Sequence, residues 1–246
     1  MCETCGCGDH ELVPVEVAER LLAANDHAAA HNRAHFAAHG VTALNLMGSP
    51  GSGKTAVLEA SARALPGLKL AAVSADLATD RDARRLEAAG IPSRAITTGS
   101  ACHLDAELVH RSLHHVDLDG VDLFFVENVG NLVCPAIYDL GQAANVVVLS
   151  VTEGEDKPLK YPVMFHKADL VLVTKIDLLP HLPGVSLDAI VDALARTMPE
   201  PRWIPVSATT GEGIDRWAGW LRERLAARPA AGAAPHAHAH PHSHGG

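Results

Sequence analysis

The chain has 246 residues, 48% of them hydrophobic, and a formal net charge of −9. That is apolar material for one moderate core with tails, and the acidic balance without a dense basic stripe excludes nucleic acid and anionic membrane as expected partners. No stretch approaches the ~20 consecutive apolar residues of a membrane span, and the first residues form no charged-then-apolar leader, so a cytoplasmic protein is expected.

The chain begins with an unusual concentration of thiols: Cys2, Cys5 and Cys7 are three of its five cysteines. In a reducing compartment such a cluster points to metal before disulfides. Thiolates are soft donors on a short Gly-containing segment, and the nearby α-amine adds a nitrogen, a mixed set that suits Ni²⁺ or Zn²⁺. Residues 1–8 are therefore read as a metal-binding motif and residues 9–14 as a linker. A helix is expected from about Val15 to Ala38, with Val17, Leu21, Leu22 and Phe36 among its apolar positions and Gly40 ending it. His27, His31, His35 and His39 recur every fourth residue and share one face. They read as a solvated polar face, because the local sequence supplies no third ligand to complete a metal site.

Val41 to Met47 reads as a buried strand. It runs into Gly48-Ser49-Pro50-Gly51-Ser52-Gly53-Lys54-Thr55, which fits G-x-x-x-x-G-K-[ST], and a helix follows. Strand, glycine turn, helix is the context a phosphate-binding loop requires. Its glycines let backbone N–H groups converge on an anion at a helix start. Gly48, Gly51, Ser52 and Gly53 are the expected cradle. Lys54 is expected to reach the β- and γ-phosphates, and the Thr55 hydroxyl to hold Mg²⁺. A second strand ends near Asp76. A carboxylate at that sheet end is a candidate for Mg²⁺, held directly or through water, with a helix cap as the alternative role.

Arg94 to Thr98 is a short third strand, and Cys102 and His103 lie in the loop after it. A helix then runs to about His114. The very apolar run Val121 to Val126 ends in Glu127-Asn128-Val129-Gly130, a Walker B arrangement. Its acid meets hydrated Mg²⁺ or orients water, and Gly130 can register the γ-phosphate through its N–H. Cys134 follows at the same sheet end as Cys102 and His103, so two thiols and an imidazole are candidates for a second metal site. Asn145 to Val151 is a strand, and Thr152 to Pro162 reads as a polar loop. Ala168 to Val173 is a strand ending in Thr174-Lys175-Ile176-Asp177, which resembles the guanine-reading Asn-Lys-x-Asp motif. Asp177 can accept from two guanine N–H groups while the Lys175 stem covers the base. Thr174 in place of asparagine removes an amide contact. Trp203 to Thr209 is a final strand, with Ser207 and Ala208 in a base-contacting loop. A closing helix follows, whose Trp217, Trp220, Leu221 and Leu225 read as core. From residue 229 the composition turns to Pro, Ala, Gly and His. His236, His238, His240, His242 and His244 form a tail expected to be disordered and able to collect Ni²⁺ or Zn²⁺ weakly.

Taken together, Cys2-Glu3-Thr4-Cys5-Gly6-Cys7, the phosphate loop, the segments 98–106 and 127–135, and Ser150 to Pro158 resemble the HypB family, GTPases that insert nickel into NiFe hydrogenase. The likeness covers residues 1–8 and about 40–210. It implies a GTPase (G) domain over 15–228 built as a P-loop α/β fold: a mostly parallel sheet of about seven strands with helices on both faces. It implies GTP/GDP, Mg²⁺, Ni²⁺ and Zn²⁺ as bound species, with Cys102, His103 and Cys134 holding a metal near the interface of a GTP-dependent homodimer. A HypA-like nickel chaperone and a hydrogenase large-subunit precursor are the implied partners. Two rivals are a nickel-storage protein and a GTPase serving another nickel enzyme such as urease. The cysteine-rich start and Cys134-Pro135 speak against the latter, because urease-type relatives carry Cys-Pro-His there.

Overall fold

The computed structural model describes residues 15–76, 79–98 and 103–228. Cys2, Cys5, Cys7, Cys102 and the five tail histidines lie outside the described residues. Seven strands, β1 Thr42–Met47, β2 Leu70–Asp76, β3 Ser93–Thr97, β4 Leu123–Glu127, β5 Ala144–Ser150, β6 Leu170–Thr174 and β7 Trp203–Val206, form one sheet in the order β3-β2-β4-β1-β5-β6-β7. Every pairing is parallel. The helices are α1 Val15–His39, α2 Lys54–Ala64, α3 Arg81–Ala88, α4 Ala106–Leu113, α5 Lys157–Lys160, α6 Pro162–His166, α7 Leu187–Thr197 and α8 Ile214–Ala226.

Parallel strands need crossovers, and crossover helices cover both faces, so the strands read as unbroken apolar runs rather than alternating ones. All six residues of β1 are buried. On one face Leu44, Leu46, Phe125 and Val148 pack with Leu58 of α2, Leu86 of α3 and Trp217 of α8. Trp217 Nε1 donates to Ser61 Oγ at 2.8 Å and its ring stacks on Trp220, so both tryptophans are core, as their spacing predicts. The other face divides in two. Phe124 and Val73 meet Phe36 of α1 with Val109 and Leu113 of α4. Val147 and Val171 meet Met164 and Phe165 of α6 with Ile190 and Leu194 of α7.

Two segments differ from expectation. Thr152 to Pro162 is helical in pieces rather than a loop: a 3-10 turn at Val151–Glu153, then α5 and the start of α6. Ser150 and Glu153 form a reciprocal capping box, and Pro158 and Pro162 sit in first turns, where a missing N–H costs nothing. The helix α7 has no counterpart in the sequence reading, although Ser186 caps it by accepting from Ala189 N and its apolar residues recur at helical spacing.

The chain leaves β1 toward one sheet edge, returns through β4, and then crosses to β5, β6 and β7. That reversal beside β1 opens a crevice at the carboxyl ends of the strands, the place where such sheets bind ligands.

Candidate functional site

The crevice is built around the loop from Gly48 to Thr55. A Cβ on Gly48 would lie 2.3 Å from the Val148 carbonyl oxygen, so only glycine lets the loop leave β1 beside β5. Gly51 and Gly53 have φ of 72° and 102°, the left-handed region that side chains avoid. Lys54 Nζ donates to the Gly48 and Ser49 carbonyls at 3.2 Å each, closing the loop on itself. Burial pushes its ammonium pKa down, with Glu127 opposing. Ser52 is wholly buried and its Oγ has no protein partner, an orphaned polar atom within the glycine-rich loop. A phosphate oxygen would satisfy that hydroxyl, so the loop fits a nucleoside polyphosphate.

Glu127 ends β4 and faces the loop. Thr55 Oγ1 donates to its Oε1 at 2.6 Å, and Ser74 Oγ donates to Oε2 at 2.9 Å. Burial raises its pKa; repulsion from Asp82 adds, while the Thr55 and Ser74 hydrogen bonds and Lys54 oppose. A buried carboxylate beside a hydroxyl is a donor pair suited to a hard cation. Asp76 lines the same cavity of about 380 Å³, and its Oδ1 accepts from Thr79 N at 3.1 Å; the N-cap position of α3 is Asp80, so Asp76 faces the cavity without capping that helix. A Cβ on Gly130 would lie 2.7–2.9 Å from Pro50, which brings its backbone against the phosphate loop. Sequence reasoning missed Asp82 and Arg85, which line this cavity from α3. Arg85 is clamped by both Glu59 oxygens at 3.0 and 2.9 Å.

Of the residues expected to read the base, Thr174 and Lys175 touch the loop, and none of the five lines the cavity. Thr174 Oγ1 donates to the Ser52 carbonyl at 2.6 Å, so the hydroxyl that replaces an amide braces the phosphate loop from β6. Lys175, the one described non-glycine residue with positive φ (59°), sends Nζ to the Gly51 carbonyl at 2.6 Å. Asp177 follows in a 3-10 turn. Ser207 is buried beyond β7, where its Oγ accepts from Thr210 N at 3.1 Å, and Ala208 packs on the core.

His103 and Cys134 are 4% and 2% exposed. The His103 ring stacks on Tyr138 at 4.2 Å, and Tyr138 follows the 3-10 turn that begins at Cys134, so the two candidate ligand segments meet. Burial lowers the His103 pKa, with Asp105 opposing, which favours the neutral imidazole. This region connects to the nucleotide crevice through amides. Asn128, next to Glu127, accepts from Leu104 N at 3.3 Å and donates to Asn45 at 3.2 Å, and Asn45 donates to Asn145 at 3.1 Å. Asn25 and Asn32 of α1 fix the far side. Asn25 accepts from Ala106 N and donates to the Asp139 carbonyl, and Asn32 donates to the carbonyls of Ala106 and Leu140.

Residues 42–201 match the family model described as CobW/HypB/UreG, nucleotide-binding domain. Over 216 residues, 87% of this chain and 70% of the relative, the chain is 49% identical to the hydrogenase maturation factor HypB of Azotobacter chroococcum mcd 1. The chain belongs to the HypB family. The hydrogenase/urease maturation factor HypB of Helicobacter pylori is 38% identical over 85% of this chain and 88% of its own length. A crystal structure of HypB from Helicobacter pylori in complex with nickel superimposes with a TM-score of 0.79 at 38% identity, covering 83% of this chain and 96% of that one. The fold is thus a P-loop nucleotide-binding α/β domain, and the all-parallel sheet sharpens the expected mostly parallel one. No helix of the described residues is long and apolar enough to cross a membrane.

Proposed function

We propose that the chain is a cytoplasmic GTP-hydrolysing nickel metallochaperone that delivers Ni²⁺ to a NiFe-hydrogenase large-subunit precursor, with nucleotide state coupled to metal binding. The observation that carries this reading is the pair Glu127-Asn128. Glu127 touches Thr55 of the phosphate loop, while the adjacent Asn128 holds the backbone one residue beyond His103. A nucleotide-dependent shift of a fraction of an ångström at Glu127 therefore has a direct path to a metal-ligand segment. Coupling between two such sites is typically ~1–3 kcal/mol.

In this reading Gly48, Gly51, Ser52, Gly53 and Lys54 bind phosphates, and Gly130 registers the γ-phosphate. Thr55, Asp76 and Glu127 would hold Mg²⁺, which supplies charge neutralisation of the phosphates when bound. Lys175, Asp177, Ser207 and Ala208 read guanine, with Thr174 as their brace. Cys102, His103 and Cys134 hold Ni²⁺ or Zn²⁺ as cargo. The segments 1–8 and 229–246 collect metal at either end of a G domain at 15–228. A GTP-dependent homodimer through the Cys134 region is supported by Val133 and Ile137, which flank the cysteine and are 51% and 50% exposed. A HypA-like protein is the proposed nickel donor.

The experiment is Ni²⁺ and Zn²⁺ titration of the metal-free protein with GDP and then with a non-hydrolysable GTP analogue. Different metal affinity or oligomeric state is expected between the two; identity in both would overturn the coupling. A storage role is separated by Lys54→Ala, expected to lower GTP turnover at least ~100-fold by removing the loop's phosphate cation; unchanged turnover would favour storage. The Helicobacter pylori relative's hydrogenase/urease name favours one second reading, service to urease as well. Deleting the gene and assaying both nickel enzymes decides it.

A further inference from the structure

The four histidines of α1 are not alone. α4 packs alongside α1 and presents His110 and His114 to the same surface. The His31 and His110 rings lie 6.5 Å apart, and His110 and His114 are 5.0 Å apart. On α1, His27 and His31 are 4.7 Å apart and His35 and His39 are 4.6 Å apart. Six of the chain's sixteen histidines thus share one ridge, and none of the six makes an ion pair with a carboxylate among the described residues. His27, His31, His39 and His114 are exposed, and His35 and His110 are half-buried. His110 Nδ1 lies 3.0 Å from Asn32 Oδ1; with Nδ1 donating to that oxygen, Nε2 is the ring nitrogen that carries the lone pair.

The spacing has chemical meaning. An ion bound by two imidazole nitrogens at ~2.0–2.1 Å, with ~90–110° between the bonds, sets the two ring centroids ~4.5–5.2 Å apart. All three i,i+4 pairs fall in that interval. Among the described residues no three donors already converge on one point, so each pair would bind an ion completed by water. Rotation of His31 toward His110 offers a third donor. Sequence alone could not see this, because the third and fourth partners are some 75 positions away along the chain.

We propose that the α1–α4 ridge is a weak binding surface for divalent late transition metals, Ni²⁺ or Zn²⁺, distinct from the cysteine motif, the tail and the His103–Cys134 region. Imidazole pairs without a carboxylate or thiolate bind such ions reversibly, which suits a surface that gathers ions rather than one that keeps them. Two of the six histidines stand on or just after α4, the helix that begins three residues after His103, so the ridge and the His103 segment are joined by one short element.

The test uses the full chain. Histidines are carbethoxylated with diethyl pyrocarbonate, with and without saturating Ni²⁺, and the rate at each is read by peptide mass spectrometry. Protection of His31, His110 and His114 by at least about 5-fold is expected. Unchanged rates at these three while the tail histidines are protected would overturn the proposal. A second measurement adds His31→Gln/His114→Gln to a Cys2→Ser/Cys5→Ser/Cys7→Ser background. Loss of at least one weak Ni²⁺ equivalent by equilibrium dialysis, with GTP turnover equal to the background, is expected; an unchanged stoichiometry would equally overturn it. Failure of the GTPase reading is registered separately, as absent turnover in the parent, and leaves the ridge result standing.

Discussion

Glu127 is 2% exposed and its carboxylate sits between two hydroxyls. Burial holds its folded pKa above the unfolded value of about 4.3, so its contribution to stability is fully present below that value and is lost as pH rises through the folded pKa. Toward neutral pH the burial of this carboxyl group therefore costs the protein stability. Glu127→Gln is expected to melt several degrees higher than the parent at pH 7, with the gap closing toward pH 4.5, and to lose Mg²⁺-dependent turnover. Thermal denaturation across that pH range checks it, and a parent that is the more stable at every pH would sink the argument. Thr174 makes a second residue-scale case. Thr174→Val leaves the Ser52 carbonyl without its 2.6 Å partner, which is expected to cost about 1–3 kcal/mol of stability and to weaken guanine-nucleotide binding. Calorimetric GDP binding unchanged from the parent would reduce Thr174 to a passive core residue. The sequence reading saw only the amide that threonine lacks; the hydroxyl's use depends on β6 lying beside the phosphate loop.

Among the elements, α1 is the least conventional. Its buried stripe runs Asn25, Ala29, Asn32, Phe36, with two amides where apolar residues would ordinarily sit. Buried amides are retained only when their hydrogen bonds are made, and here they satisfy backbone groups at the start of α4 and in the segment 139–140. The helix thus fixes both sides of the His103–Tyr138 contact. Asn32→Ala strips the carbonyls of Ala106 and Leu140 of a shared donor and is expected to cost about 2–4 kcal/mol in urea denaturation, with faster hydrogen exchange at the start of α4. Exchange that quickens everywhere alike would mean a global loss rather than a local one. None of this is readable from periodicity, which marks Asn25 and Asn32 as polar interruptions. The helices α5 and α6 were hidden differently: four- and five-residue segments with proline in the first turn carry signals too local to outweigh a polar composition.

Across the whole molecule, one sheet end gathers the phosphate loop, Glu127, the base-side motif and the segment holding His103. Asn128 stands between Glu127, which touches the phosphate loop, and the backbone just after His103. Asn128→Ala is expected to leave GDP affinity within about 3-fold of the parent while removing most of the nucleotide-dependent difference in Ni²⁺ affinity. Paired titrations with GDP and a GTP analogue read that difference, and a variant that keeps it would move the coupling path elsewhere. The order of the motifs along the chain settled the architecture in advance. Glycines with positive φ, acids at strand ends and apolar runs of strand length each report a local backbone requirement, and local requirements are written in adjacent residues. The tertiary structure alone decided which distant groups became neighbours: Thr174 against Ser52, Asn128 against Leu104, and the histidines of α1 against those of α4. Contacts of that kind depend on strand order and helix packing, and no single stretch of chain encodes either.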